Sequence, residues 1–121
     1  MISDEKFRKK EHILKSKEFR VVYKKGRSAK KTNVVMYAIP NSLDNCRIGF
    51  SIGSRNIKRA SRRNRIRRLF KEAYRFNKKA IKSPHDIVIV VRSDTRTPPS
   101  YASTEGLFLK LLGELGCLAQ K

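Results

Sequence analysis

The sequence predicts an α/β fold, a small two-layer sandwich in which helices rest on one sheet. Three observations carry this expectation. Segments with helical spacing alternate with short β-branched runs in the order α-β-β-α-β-α, with room for one further strand. The chain has 121 residues, the size of one domain with one core, so residues 1–121 are read as a single domain. Residues Ile87–Val91 read I-V-I-V-V without polar alternation, the pattern of a strand buried on both faces and therefore central or parallel.

Taken in order, residues 1–14 are mixed and highly charged. Phe7, Ile13 and Leu14 are their strong apolar anchors after Ile2, so this segment is expected to be extended or partly disordered until it docks. Ser16–Lys25 predicts a short helix that Ser16 can cap. Phe19, Val22 and Tyr23 fall on one face, and Gly26 is a natural stop. Thr32–Ile39 and Arg47–Ile52 predict two strands, ended and separated by Pro40 and the turn residues Asn41–Asn45. They are expected to form a hairpin-like pair. Gly53, Ser54 and Asn56 place Arg55 in a basic loop.

Ala60–Lys79 follows helical spacing through Ile66, Leu69, Phe70, Ala73 and Asn77, with Ser61 as the candidate cap. Asn64, Arg67, Arg68, Lys71, Arg75 and Lys78 fall on the opposite side. Arg63 and Tyr74 flank the stripe and are expected to turn their polar tips outward. Ser83-Pro84-His85-Asp86 breaks the chain before the Ile87–Val91 strand, and Arg92–Pro99 forms a loop. Ser100 caps a last helix through Tyr101, Thr104, Leu107, Phe108, Leu111, Leu112 and Leu115. Gly106 and Gly113 weaken it by about 1 kcal/mol each relative to alanine, so tertiary packing must compensate.

Lys and Arg total 30 against 10 Asp and Glu, a formal charge of +20, which argues for an anionic partner. The surplus is local. Residues 54–79 hold twelve basic side chains with Glu72 as their only acid, while residues 101–121 are balanced. Internal ion pairs cannot neutralise such a helix. Like charges at i,i+4 cost it a few tenths of a kcal/mol per pair, and a polyanion reverses that sign. Arginine exceeds lysine here, and its planar fork suits phosphate and stacks on bases. A solvated charged face is the bland alternative, but acids are nearly missing. Composition leaves RNA and DNA both open. Phe19, Tyr23 and Tyr37 offer stacking surfaces for unpaired nucleotides, with ordinary core packing as the competing reading.

Other classes find little support. Cys46 and Cys117 form no C-x-x-C pair, and only His12 and His85 accompany them, so no zinc cluster is indicated. The cysteines are read as two reduced thiols of a cytoplasmic protein, with one disulfide as the open alternative. No apolar run is long enough to span a membrane, and residues 1–10 lack the apolar core of a secretory signal. The acids are scattered, and His85 beside Asp86 reads as turn chemistry. No P-loop or G-x-S-x-G is present, so no catalytic residues and no metal ligands are assigned to the protein itself.

Ser61-Arg62-Arg63-Asn64-Arg65-Ile66-Arg67-Arg68-Leu69-Phe70-Lys71-Glu72-Ala73-Tyr74-Arg75 closely resembles the signature of the bacterial ribonuclease P protein component, R-N-R-x-K/R-R followed by an apolar pair and R/K-x-A-F/Y. Phe19-x-x-Val22-Tyr23-x-x-Gly26, Val34-Val35-Met36-Tyr37 and Arg47-Ile48-Gly49-Phe50-Ser51-Ile52 resemble three further family segments in the correct order. With Asp86–Arg92 and the last helix, the resemblance covers about residues 7–115.

The resemblance implies a small α/β sandwich with a left-handed β-α-β crossover, against the usual hand. It implies a catalytic RNA subunit and precursor tRNA as partners, with no membrane and no duplex DNA. Magnesium is the implied cofactor, bound chiefly by the RNA. Arg63, Asn64, Arg65, Arg67, Arg68 and Lys71 match the family's basic-helix positions, where Arg63–Arg68 would approach the catalytic RNA and the cleavage region. Phe19, Tyr23 and Tyr37 match its aromatic cleft for the single-stranded 5′ leader. Two departures stand out. Lys58 occupies the place of a common glycine in a loop one residue longer, and His12 stands where arginine is common. An rRNA-binding structural protein of the ribosome and a small helix-reading DNA-binding protein are the competing readings of charge and size.

Overall fold

The computed structural model describes residues 12–13, 16–94 and 100–119. Its elements run α1 (Ser16–Lys25), β1 (Arg27–Lys31), β2 (Val34–Pro40), β3 (Arg47–Ser51), α2 (Ala60–Asn77), a 3-10 turn (Lys78–Ala80), β4 (His85–Val91) and α3 (Tyr101–Glu114). The strands form one sheet in the order β1-β2-β4-β3. β1 pairs antiparallel with β2, β2 antiparallel with β4, and β3 parallel with β4.

The expected α/β order holds, and the further strand is β1. Its sequence, RSAKK, is exposed except at the half-buried Ala29, so it carries no alternating pattern. Its charged side chains suit a sheet edge, where they discourage pairing with another chain. Thr32 and Asn33 are the two-residue turn into β2, with Thr32 at φ 54°.

One expectation is overturned. The strands at Thr32–Ile39 and Arg47–Ile52 do not pair with each other, because β4 lies between them. β4 is the most apolar strand, and every residue of it but Val90 is buried. The strand with two apolar faces takes the interior, and β3 reaches it in parallel through α2 as a β-α-β crossover.

Alternation divides the core. Met36, Ala38, Ile48, Ile87, Ile89 and Val91 face α2 and α3, meeting Ile66, Phe70, Ala73, Phe108, Leu111 and Leu112. These are the two main layers. On the other face, α1 inserts Val22, fully buried, against Val88 and Ile13. Burying such a side chain is worth about 2 kcal/mol, and a ten-residue helix depends on that anchoring.

Several local expectations change. Ser61 does not cap α2; Arg59 holds the N-cap position without a side-chain bond. Tyr74 does not turn its tip outward: it is only 2% exposed and is part of the core. At α3 the Ser100 cap is present as a reciprocal box with Ser103. Ile13 donates its backbone N–H to Ile48 O at 3.0 Å, which fastens the chain to the free edge of β3. The rest of the segment expected to order on docking, residues 1–11 and 14, lies outside the described residues, as do loop residues 95–99.

Candidate nucleic-acid interface

Helix α2 sets its apolar stripe, Ile66, Leu69, Phe70, Ala73 and Tyr74, into the core. The intervening basic residues are thereby turned outward. Asn64, Arg65 and Arg68 are exposed, and Arg67 and Lys71 are half-buried. Asn64 Oδ1 accepts from Arg67 Nη1 at 2.9 Å, so two predicted contact residues are held side by side.

Arg63 differs from its neighbours. Its Nη1 donates to Ile57 O at 2.7 Å and Lys58 O at 3.0 Å, so this tip turns back onto the protein and not outward as expected. The contact fixes the basic loop, whose Asn56 and Ile57 N–H groups both donate to Gly53 O. Ile57 is fully buried beneath it. Arg63 therefore orients the loop as well as contributing charge.

Ahead of the helix, Arg55, Asn56, Lys58, Arg59, Arg62 and Asp94 line a recess of 410 Å³. Asp94 pairs with Arg62 Nη2 at 2.8 Å. Sequence reasoning counted these cations but did not bring them together, because Asp94 enters from the far end of β4.

The structure brings the three aromatic candidates together. Tyr37 meets Tyr23 edge to face at 5.0 Å between centroids, and Phe19 is tilted against Tyr23 at 6.4 Å. Phe19 and Tyr37 are half-buried and Tyr23 is 39% exposed, leaving ring surface accessible. Gly49 makes room for Phe19, since a Cβ there would lie 2.7 Å from the end of the ring. Tyr37 belongs to the sheet face bearing α1, whereas the α2 stripe packs on the other face. The arginine helix and aromatic cluster therefore occupy opposite sides of the sheet and form no single pocket.

An ion cluster fixes α1. Arg47 Nη1 donates to Glu18 at 2.7 Å, while its Nε and Nη2 grip Asp86. The bond to Asp86 holds this guanidinium more firmly protonated than an ordinary arginine, against the opposing effect of burial, and Glu18 adds to it. His85 and Asp86 are the first residues of β4 and not a turn as expected; His85 is buried, with its Nδ1 2.8 Å from Ser83 O. Among the described residues, no three His, Cys, Asp or Glu side chains gather as a metal site. None of the described helices is long and apolar enough to cross a membrane. Cys46 and Cys117 are buried free thiols, and burial pushes the Cys117 pKa up.

Comparison with known proteins gives a consistent result. The family model described as Ribonuclease P matches residues 7–116. A ribonuclease P protein component from Alkaliphilus metalliredigens is 37% identical over 103 residues, 85% of this chain and 91% of the relative. One from Pelotomaculum thermopropionicum is 41% identical over 100 residues, 83% of this chain and 88% of the relative. The solved Staphylococcus aureus RNase P protein shares the fold, with a TM-score of 0.79 over 90% of this chain and 98% of that one at 24% identity. With the family model spanning nearly the whole chain, this protein belongs to the ribonuclease P protein component family, the protein subunits of ribonuclease P.

Proposed function

We propose that this chain works in the bacterial cytoplasm with a catalytic RNA that removes the 5′ leader of precursor tRNA by magnesium-dependent endonucleolytic cleavage. The observation that carries this reading is the outward arginine face of α2, including Asn64, Arg65, Arg67, Arg68 and Lys71, with Glu72 its only acid. Its surplus charge suits the phosphates of a folded RNA. Arg63 contributes by holding the loop ahead of it.

Phe19, Tyr23 and Tyr37 take the single-stranded leader in this reading. Their rings stack on bases of any sequence, each stack contributing about 1–3 kcal/mol. The protein supplies affinity and placement, bringing the scissile bond into register with the RNA active site. Magnesium is assigned to the RNA. Among the described carboxylates, Glu18, Asp86 and Asp94 are each paired with an arginine.

The test is reconstitution with a candidate catalytic RNA and precursor tRNA at low magnesium. Stimulated cleavage that depends on leader length is expected. Stimulation by the chain of rRNA assembly alone, without tRNA processing, would overturn the reading in favour of a ribosomal role. Cleavage by the protein alone would overturn the division of labour.

A further inference from the structure

Phe76 is the most exposed large apolar side chain among the described residues, at 50%. It lies outside the core stripe of α2. Eleven residues separate it from Arg65, which places the two within about 20° on the helical wheel and about 16 Å apart along the axis. The aromatic ring thus continues the face that presents Arg65.

The ring is held in place. Its centroid is 6.1 Å from that of Tyr101, nearly perpendicular, and the Arg75 guanidinium lies 4.6 Å above it. Tyr101 Oη donates to Glu105 at 2.9 Å, and Asn77 Nδ2 donates to the same carboxylate oxygen at 2.9 Å. Both nearby acids are thus engaged, Glu105 in these bonds and Glu72 in a long pair with Arg75 at 3.9 Å. An exposed aromatic fixed by its neighbours loses little entropy when something stacks on it.

We infer that Phe76 and Arg75 form a second nucleotide-contact point, a platform on which an unpaired base of the RNA partner stacks. The inference rests on the proposed RNA partner but not on the leader cleft, which lies on the other face of the sheet. Stacking on the ring or on the guanidinium that covers it is indifferent to base identity, and the N–H edges of Arg75 remain suited to the adjoining phosphate. The competing role is purely structural, with Phe76 closing the seam between α2 and α3.

The chain has no tryptophan, so Phe76→Trp introduces a single indole reporter. Its emission is titrated with a transcribed catalytic RNA while binding is followed separately by filter retention. Quenching that follows the binding curve is expected. Phe76→Ala is expected to weaken binding about tenfold, with the salt dependence unchanged. Phe76→Tyr retains affinity, and Phe76→Leu, which still fills the seam, behaves like Phe76→Ala. Full binding without quenching, or leucine equal to phenylalanine, overturns the platform alone. Failure of the unsubstituted chain to bind the RNA overturns the partner reading as well. Emission that changes with protein concentration in the absence of RNA marks self-association and also overturns the platform.

Discussion

Arg47 and Asp86 face each other across the parallel pair β3–β4, and the guanidinium meets both carboxylate oxygens, Nε to Oδ1 at 2.9 Å and Nη2 to Oδ2 at 2.6 Å. The same arginine reaches Glu18 on α1, and Asn41 donates to Asp86 Oδ1 at 2.8 Å. One side chain therefore joins two strands and a helix. Arg47→Met leaves Asp86, whose side chain is 10% exposed, without its countercharge. The expected loss is about 2–4 kcal/mol in urea unfolding. A loss below about 0.5 kcal/mol, the scale of an exposed pair, would contradict the clamp.

Gly49 lies under Phe19, and an added Cβ would come within 2.8 Å of two ring carbons and 3.0 Å of Ile13 Cβ. Gly49→Ala is expected to displace the Phe19 ring and destabilise the fold by about 1–3 kcal/mol. It should also weaken cleavage of leader-bearing precursor more than of a leaderless one. Kinetics on both substrates, beside a melting curve, separates these effects.

Arg67 and Arg68 provide a test of phosphate contact. Arg67→Ala with Arg68→Ala is expected to reduce the slope of log affinity against log salt by nearly two if each meets one phosphate. For an interface of six to ten phosphates, the unsubstituted protein should lose about 10³–10⁵-fold in affinity between about 50 and 200 mM salt. Filter binding over that range is the measurement, and an unchanged slope removes both residues from the contact.

Tyr101 gives a pH signature. Burial first, then its bond to Glu105, raises the phenol pKa from 10.0 to about 12. Because the folded value is the higher one, the associated stability is fully present below pH 10 and is lost as pH rises toward 12. Unfolding of the native chain should therefore become easier across that window by more than unfolding of Tyr101→Phe. Parallel slopes for the two proteins would contradict the assignment.

The helices were legible because their apolar residues keep a 3.6-residue period, and the outward direction of Asn64 and Arg68 followed from the same count. β1 was not legible, since an edge strand of arginine and lysine has no buried face to mark it. Strand partnership was hidden for another reason: the central place of β4 depends on residues more than thirty positions from either neighbour. The inward turn of Arg63 and the burial of Tyr74 reflect tertiary packing that a wheel places only at the stripe's edge. Phe76 did leave a sequence signal, an aromatic on the charged side of the helix, which an inventory of the apolar stripe passes over.

The position of β4 also orders events during synthesis. β2 and β3 have no hydrogen bonds to each other, so they wait for a strand that emerges after the whole of α2. Until Val91 has left the ribosome, the future interior of the sheet lacks its middle. The arginine-rich segment is by then already outside, without the packing surface that β4 completes. Local helices can form early, but sheet closure must await these distant contacts, whose loop-closure entropy has to be met first.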